Sequence, residues 1–223
     1  MIPKRFLLVA AMFSLSVLLY VDRACISAAK DSVALDLGLS EKQMGWVMAA
    51  FALGYALCQT PAGLMADKFG SRTILTAVVS FWSLFTGLTA AAWNYTSILV
   101  VRFLFGAGEA GAFPGMARTI FSWIPMQKRG FVQGLNFSGS RLGAAFAFPG
   151  IAWMIAQVGW KQTFVILMAA GFAWSIFWYF WFRDDPSTHP SISEDEREYI
   201  LANRQKADTG DKPQPLSTGI LFG

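Results

Sequence analysis

The sequence is short of the groups that most protein chemistry uses: one histidine, two cysteines and 14% charged side chains in 223 residues. A single imidazole, His189 in a Pro-flanked polar segment, cannot assemble a zinc constellation or a Ser/His hydrolytic pair. Cys25 and Cys58 both fall inside apolar runs, where a thiol acts as a small hydrophobic filler. No metal or cofactor is expected, and the chain lacks the nucleophile and base that an enzyme within the membrane would need. The scarcity of charge argues against an ordinary soluble domain, in which about 25% of residues are charged. The net charge of +4 resides in short connections and the C-terminal segment, so no nucleic-acid partner is implied.

What fills the chain is 55% hydrophobic and 15% aromatic. A helix of about 20 apolar residues crosses a bilayer, and six runs reach that length: Phe6 to Ala28, Met44 to Met65, Thr73 to Trp93, Ser97 to Ala117, Val132 to Gln157 and Thr163 to Phe182. The first is too long, and too interrupted by Asp22 and Arg23, to be a cleaved signal peptide. The expectation is an all-α membrane protein: a six-helix transmembrane bundle over residues 1–186, then a cytoplasmic linker over 187–223 with a short helix near 193–206. Lys4, Arg5, Lys68, Arg72, Arg118, Lys128, Arg129 and Arg183 fall on one side, against Lys30, Lys42 and Lys161 on the other, which places both termini in the cytoplasm. Trp46, Trp93, Tyr95, Trp123, Trp160 and Trp181 lie near helix ends, where amphipathic rings prefer to sit.

Local signals sharpen the boundaries. Ser40 followed by Gln43 is a capping-box pattern opening the second helix, and little more than Asn94-Tyr95 joins the third and fourth. Arg183-Asp184-Asp185-Pro186 stops the sixth. Ser193 can cap a further helix with Glu196 at its third position and Arg204 and Lys206 in its last turn. Residues 207–219 have linker composition. A second six-helix half is expected as partner, whether the chain is truncated, the half is encoded separately, or a second copy supplies it.

The connection between the second and third runs reads Gly63-Leu64-Met65-Ala66-Asp67-Lys68-Phe69-Gly70-Ser71-Arg72-Thr73. Glycines there permit a sharp turn and close helix approach, while Asp67 and Arg72 can make charge-assisted bonds to neighbouring helix ends. Gly63, Asp67, Gly70 and Arg72 at this spacing resemble the cytoplasmic gate motif of the major facilitator superfamily. Arg102-Phe103-Leu104-Phe105-Gly106-Ala107-Gly108-Glu109-Ala110-Gly111 is similar to the superfamily's fourth-helix pattern of an Arg followed by spaced small residues. Together with Tyr20-Val21-Asp22-Arg23, Glu109 with Pro114, and Asn136-Phe137-Ser138-Gly139, the chain resembles the N-terminal half of the anion:cation symporter family. That family includes bacterial aldonate, hexuronate and glucarate symporters. The resemblance implies two three-helix repeats, a bacterial inner membrane, and proton-coupled transport of a small carboxylate by alternating access with a second half. It also implies protonation sites at Asp22 and Glu109, with Tyr20, Arg23, Tyr55 and Arg102 at or near the substrate.

The residues themselves support part of this. Each charge near a bilayer centre costs about 2.5 to 3.5 kcal/mol, so such side chains face a bundle interior or an aqueous path. Ser16, Tyr20, Arg23 and Ser27 share one stripe of the first helix. Asp22 and Arg102 lie at similar depth from the outer surface, which makes them a candidate pair. Arg141, mid-depth in the fifth helix, is a candidate partner for Glu109. Arg23, and with it Arg102 or Arg141, can bind a substrate carboxylate bidentately. Pro114, with Gly111 and Gly115, predicts a flexible or kinked point beside Glu109, and Pro149 predicts another. Two other readings use the same residues: a salt-bridge network that only locks helices together, and a non-transporting half-length membrane protein that binds a partner.

Overall fold

The computed structural model describes residues 3–203, and every regular element among them is helical. Helix α1 (Lys4–Ala28) is followed by the short α2 (Lys30–Leu37), and α3 (Glu41–Ala90) by α4 (Tyr95–Glu109) and α5 (Ala112–Trp123). A turn of 3-10 helix, Met126–Lys128, leads to α6 (Arg129–Val158), α7 (Trp160–Trp181) and α8 (Glu194–Asn203), the last helix among the described residues.

A straight helix of α3's 50 residues would extend about 75 Å, far beyond the roughly 30 Å of a hydrocarbon core. It therefore bends back at Gly70, whose φ of 78° and ψ of 163° leave the helical region. The two arms, 41–69 and 71–90, run in opposite senses along the next span. Gly106 abuts Phe51 and Gly111 abuts Ala62 on the first arm, whereas Gly108 abuts Trp82 and Gly115 abuts Leu75 on the second. Counting each arm, and taking α4 with α5 as one interrupted span over 95–123, gives the six membrane segments that the sequence predicts.

Packing follows from where small residues fall. A Cβ on Gly54 would collide with the Phe103 carbonyl, and one on Gly106 with the Phe51 carbonyl, so α3 and α4 touch backbone to backbone. Two apolar clusters then fill the bundle. Leu8, Met12, Leu15 and Leu19 of α1 pack with Leu75, Val79, Trp82, Trp123 and Trp178 toward the Gly70 end. Cys25, Ile26, Val47, Ile98 and Phe164 pack toward the opposite end, with Cys25 fully buried and free.

The Gly70 end is held by polar bonds between elements. The Asp184 carboxylate accepts the Arg72 backbone N–H at 3.0 Å, Arg72 Nε donates to the Tyr179 carbonyl at 2.8 Å, and Trp123 Nε1 donates to the Arg183 carbonyl at 2.8 Å. At the other end the Ser40/Gln43 capping box forms as expected. A second box, Asn94 with Ser97, opens α4; the sequence signal was an Asn at the N-cap. The segment before α3 forms the two-turn helix α2, closed by Gly38 at φ 62°. Pro149 lies inside an unbroken α6.

The helix expected near 193–206 is α8, and Ser193 Oγ accepts the Glu196 N–H at 3.4 Å. Arg204, Lys206 and the 207–219 segment lie outside the described residues.

Gly70 and Gly63 of the same motif make opposite predictions. At Gly70 the backbone lies in a region that is nearly glycine-only, and a Cβ would meet the Asp184 carboxylate at 2.9–3.0 Å. Nothing lies within 4 Å of a Cβ at Gly63. Gly70→Ala is expected to cost about 1–3 kcal/mol and lower the thermal unfolding midpoint in detergent, while Gly63→Ala leaves it near the parent value.

Candidate functional site

Three helices bring the intramembrane charges together. Asp22 and Arg23 come from α1, Arg102 and Glu109 from α4, and the aromatic wall from the first arm of α3, through Phe51 and Tyr55. Asp22, Arg102 and Glu109 are no more than 2% exposed. Arg23 keeps 23% of its side chain exposed, so it alone of the four reaches an open face.

The pairing differs from the sequence expectation. Arg23 Nε donates to Glu109 Oε1 at 2.6 Å, joining α1 to α4. The expected ion pair between Asp22 and Arg102 is not made. Asp22 Oδ2 instead accepts the indole N–H of Trp82, on the second arm of α3, at 3.0 Å. Asp22, Arg102 and Glu109 remain within electrostatic range of one another. The expected Glu109–Arg141 pair is also absent: Arg141 is on the exposed face of α6. Depth along the membrane, legible from sequence, was insufficient because pairing also needs the rotation of each helix about its axis.

Aromatic rings hold both guanidinium groups. Arg23 lies over Tyr20 at 5.2 Å, Phe51 at 5.2 Å and Tyr55 at 4.8 Å. Arg102 lies over Phe105 at 4.3 Å and Phe51 at 5.6 Å. Phe51 thus sits between the two cations, an arrangement that attracts each to the face of a ring while leaving N–H groups free.

Those N–H groups define the chemistry. Arg102 Nε and Nη1, Arg23 Nη2, Asp22 Oδ1 and Glu109 Oε2 are buried without a hydrogen-bond partner in the structure. A buried unpaired polar atom costs about 1–3 kcal/mol, and more when charged. Donors and acceptors left open side by side suit a polar guest that bridges them. Asn136 of α6, in the quoted motif, is also buried with both amide atoms unpartnered, but Gly139, one turn on, packs against Phe13, which sets Asn136 toward the Gly70 end and apart from this cluster. The polar stripe of α1 faces inward as the spacing implied: Ser16 donates to Met116 Sδ and Ser27 to Met48 Sδ, at 3.6 and 3.7 Å. Of the predicted substrate residues, Tyr20, Arg23, Tyr55 and Arg102 are brought together, and Arg141 is not.

The helix break expected beside Glu109 is present. α4 ends at Glu109 and α5 starts at Ala112, with Ala110 and Gly111 between them. The gate motif lies at the Gly70 end, away from this cluster. There Asp67 pairs with Arg118 of α5 at 3.3 Å, and Arg72 stacks on Tyr179 of α7 at 4.5 Å besides its carbonyl bond. Sequence reasoning missed Arg118 and Asp184 as the motif's partners.

A model of the Major Facilitator Superfamily matches residues 12–222. The chain is 36% identical over 199 residues to a probable sulfoacetate transporter of Cupriavidus necator, covering 89% of this chain and 46% of the relative. It is 33% identical over 217 residues to a probable galactarate/D-glucarate transporter of Escherichia coli K12, covering 95% and 49%, and 33% identical over 175 residues to a hexuronate transporter of Bacillus subtilis, covering 78% and 42%. Among solved structures, the partially occluded inward-open xylose transporter of E. coli superimposes with a TM-score of 0.72 at 17% identity, over 89% of this chain and 55% of that one. The inward-facing bacterial homologue of the human lysosomal transporter Spinster gives 0.71 at 23%, over 87% and 47%. These two show the fold. The chain spans about half the length of the curated relatives it matches. It belongs to the major facilitator superfamily, as an integral membrane protein with the architecture of an N-terminal half.

The Arg23–Glu109 bond predicts a thermodynamic cycle. Removing one partner leaves a buried charge alone, which costs about 3–5 kcal/mol. Arg23→Leu is therefore expected to destabilise the detergent-solubilised protein, and adding Glu109→Leu to recover at least half of the loss in thermal unfolding.

Proposed function

We propose that this chain forms one half of a carrier that moves a small organic anion, a sugar acid of the hexuronate, aldonate or glucarate class, together with protons. The observation that carries the reading is a buried set of two arginines and two carboxylates, several of whose atoms have no partner. With all four ionised the set is neutral. A carboxylate bound there adds one negative charge in a low-dielectric interior, and uptake of one proton by Asp22 or Glu109 restores the balance. Coupling follows from charge neutrality.

Arg23 is where the two events meet. Glu109 and an incoming carboxylate compete for the same guanidinium, so a protonated Glu109 releases Arg23 to the substrate and a departing substrate returns it. Arg102 supplies two further open donors, Nε and Nη1, each able to make a charge-assisted bond to a carboxylate oxygen. Tyr20 and Tyr55, both beside Arg23, bring hydroxyls of their own. The relatives are named as transporters of sugar diacids, a hexuronate and a sulfonate, all anions that a guanidinium can bind.

Transport would proceed by alternating access between this six-helix unit and a second one. Arg141, exposed on α6, would then face the substrate path or the second unit. Both termini would lie in the cytoplasm of a bacterial inner membrane, with the segment after residue 187 leading toward the other unit. Asp67, Arg72, Gly63 and Gly70 would gate the cytoplasmic side.

The test is uptake of a panel of labelled sugar acids by cells expressing the gene, with and without an imposed pH gradient, for the parent, Asp22→Asn and Glu109→Gln. Uptake of one or more acids that rises with inward proton drive in the parent and loses that dependence in at least one variant is expected. Unchanged, pH-insensitive uptake in both variants overturns the proton coupling; no uptake of any organic anion by the parent overturns the carrier reading.

A further inference from the structure

The segment after α7 folds back over the Gly70 end of the bundle and contacts four spans. His189 stands between Trp123 at the end of α5 and Trp181 at the end of α7, with ring centroids 5.5 and 5.6 Å away and planes at 86° and 72°. Ile200 of α8 is fully buried in the same apolar cluster as Leu8 and Met12 of α1. Tyr199 lies beneath Arg5 of α1 at 4.6 Å and Lys128, just before α6, at 5.7 Å. Glu196 reaches to the start of α1, where its two carboxylate oxygens accept the backbone N–H groups of Lys4 at 2.8 Å and Arg5 at 2.9 Å. Those are among the N–H groups that a helix leaves unsatisfied at its start, so a carboxylate distant in sequence caps α1.

The histidine makes this attachment sensitive to protons. His189 is 5% exposed. Its Nδ1 accepts the Ser191 N–H at 3.3 Å, and Nε2 is buried without a partner. Nδ1 therefore carries no proton while the segment is docked. A proton added there would set N–H against N–H and leave a cation under cover. The groups facing it are Lys4 of α1, Arg183 after α7, the indole of Trp123, the Trp181 carbonyl and Glu196 of α8. Two are cations, and the one anion, Glu196, is already committed to the Lys4 and Arg5 amides.

We propose that residues 186–203 form an acid-released strap, docked on the Gly70 end of the bundle when His189 is neutral and freed from α1 when it is protonated. Burial first, then Lys4 and Arg183, hold the imidazole below its ordinary value, which is about 6.5. The docked state thus binds fewer protons than the free one: docking is complete above that ordinary value and weakens as pH falls below it. The proposal goes beyond the carrier reading, and its readout involves no transport.

Hydrogen exchange in nanodiscs, corrected for intrinsic rates, measures opening of segment 186–203 and of the Lys4 and Arg5 amides across the range from about pH 7.5 to 5. NMR of the labelled His189 ring, identified by its disappearance in His189→Gln, gives the protonation midpoint in the same sample. A several-fold rise in exchange that tracks His189 protonation is expected, with α7 amides unchanged. Glu196→Ala is expected to open the Lys4 and Arg5 amides at every pH. Protection that persists after His189 is protonated, or opening at a pH where it is still neutral, overturns the proposal.

Discussion

The 2.6 Å bond between Arg23 and Glu109 ties the first helix of one three-helix repeat to the first of the other. In lipid no water is available to share these charges, so each must meet its opposite within the bundle. The bond fixes the rotation of α1 and α4 about their axes, and the rest of the site inherits that rotation. Asp22, next in sequence to Arg23, is turned away from α4 toward Trp82, where it takes the indole N–H. Arg102, two turns before Glu109, is left beside Phe51 and Phe105 with open donors. One satisfied pair thereby produces the unsatisfied ones. A locking network would close every donor on an acceptor; this one leaves both kinds open, as the proposed anion site requires.

Close packing makes the arrangement possible. Arg23 can reach Glu109 and the Tyr20, Phe51 and Tyr55 rings only if α4 lies deep in the groove made by α1 and α3. Gly54 and Gly106 permit it by removing the side chains that would separate the two backbones, each set against a carbonyl of the other helix. Pro114 then removes an N–H just beyond Glu109, and the helix opens at Ala110–Gly111. The break separates Glu109 from the stretch of α5 whose Met116, Ile120 and Trp123 pack in the core.

How much of this was legible follows from what each sequence signal encodes. Run length and charge scarcity gave six spans, and the glycine of the gate motif marked the fold-back of α3, because hydrophobic thickness and positive φ are local demands. The stripe of Ser16, Tyr20, Arg23 and Ser27 also read correctly, since helical periodicity sets the angle between residues on one element. The partners were misassigned because an angle between two elements is set by packing of glycines and rings from a third. Trp82 could not be picked out among nine tryptophans, nor Asp184 among the acids that follow α7. Glu196 was read as completing its own capping box, a sound local rule that lost to a distant helix start with free amides.

That last substitution ties the two ends of the described chain to each other. α1 carries Asp22 and Arg23, and its first turn is capped by Glu196 while Ile200 inserts beneath it. Any tilt of α1 that widened the Gly70 end would have to break those two amide bonds or carry α8 along. The same end is crossed by Asp184 on the Gly70 turn and by Arg72 on α7. Helices α1 and α8, the second arm of α3, α5 and the end of α7 are therefore joined at this end by bonds to backbone groups, whereas the opposite end packs through Cys25, Ile26, Val47, Ile98 and Phe164, and its exposed ion pairs Lys161–Asp36 and Lys30–Glu41 contribute only about 0–1 kcal/mol each.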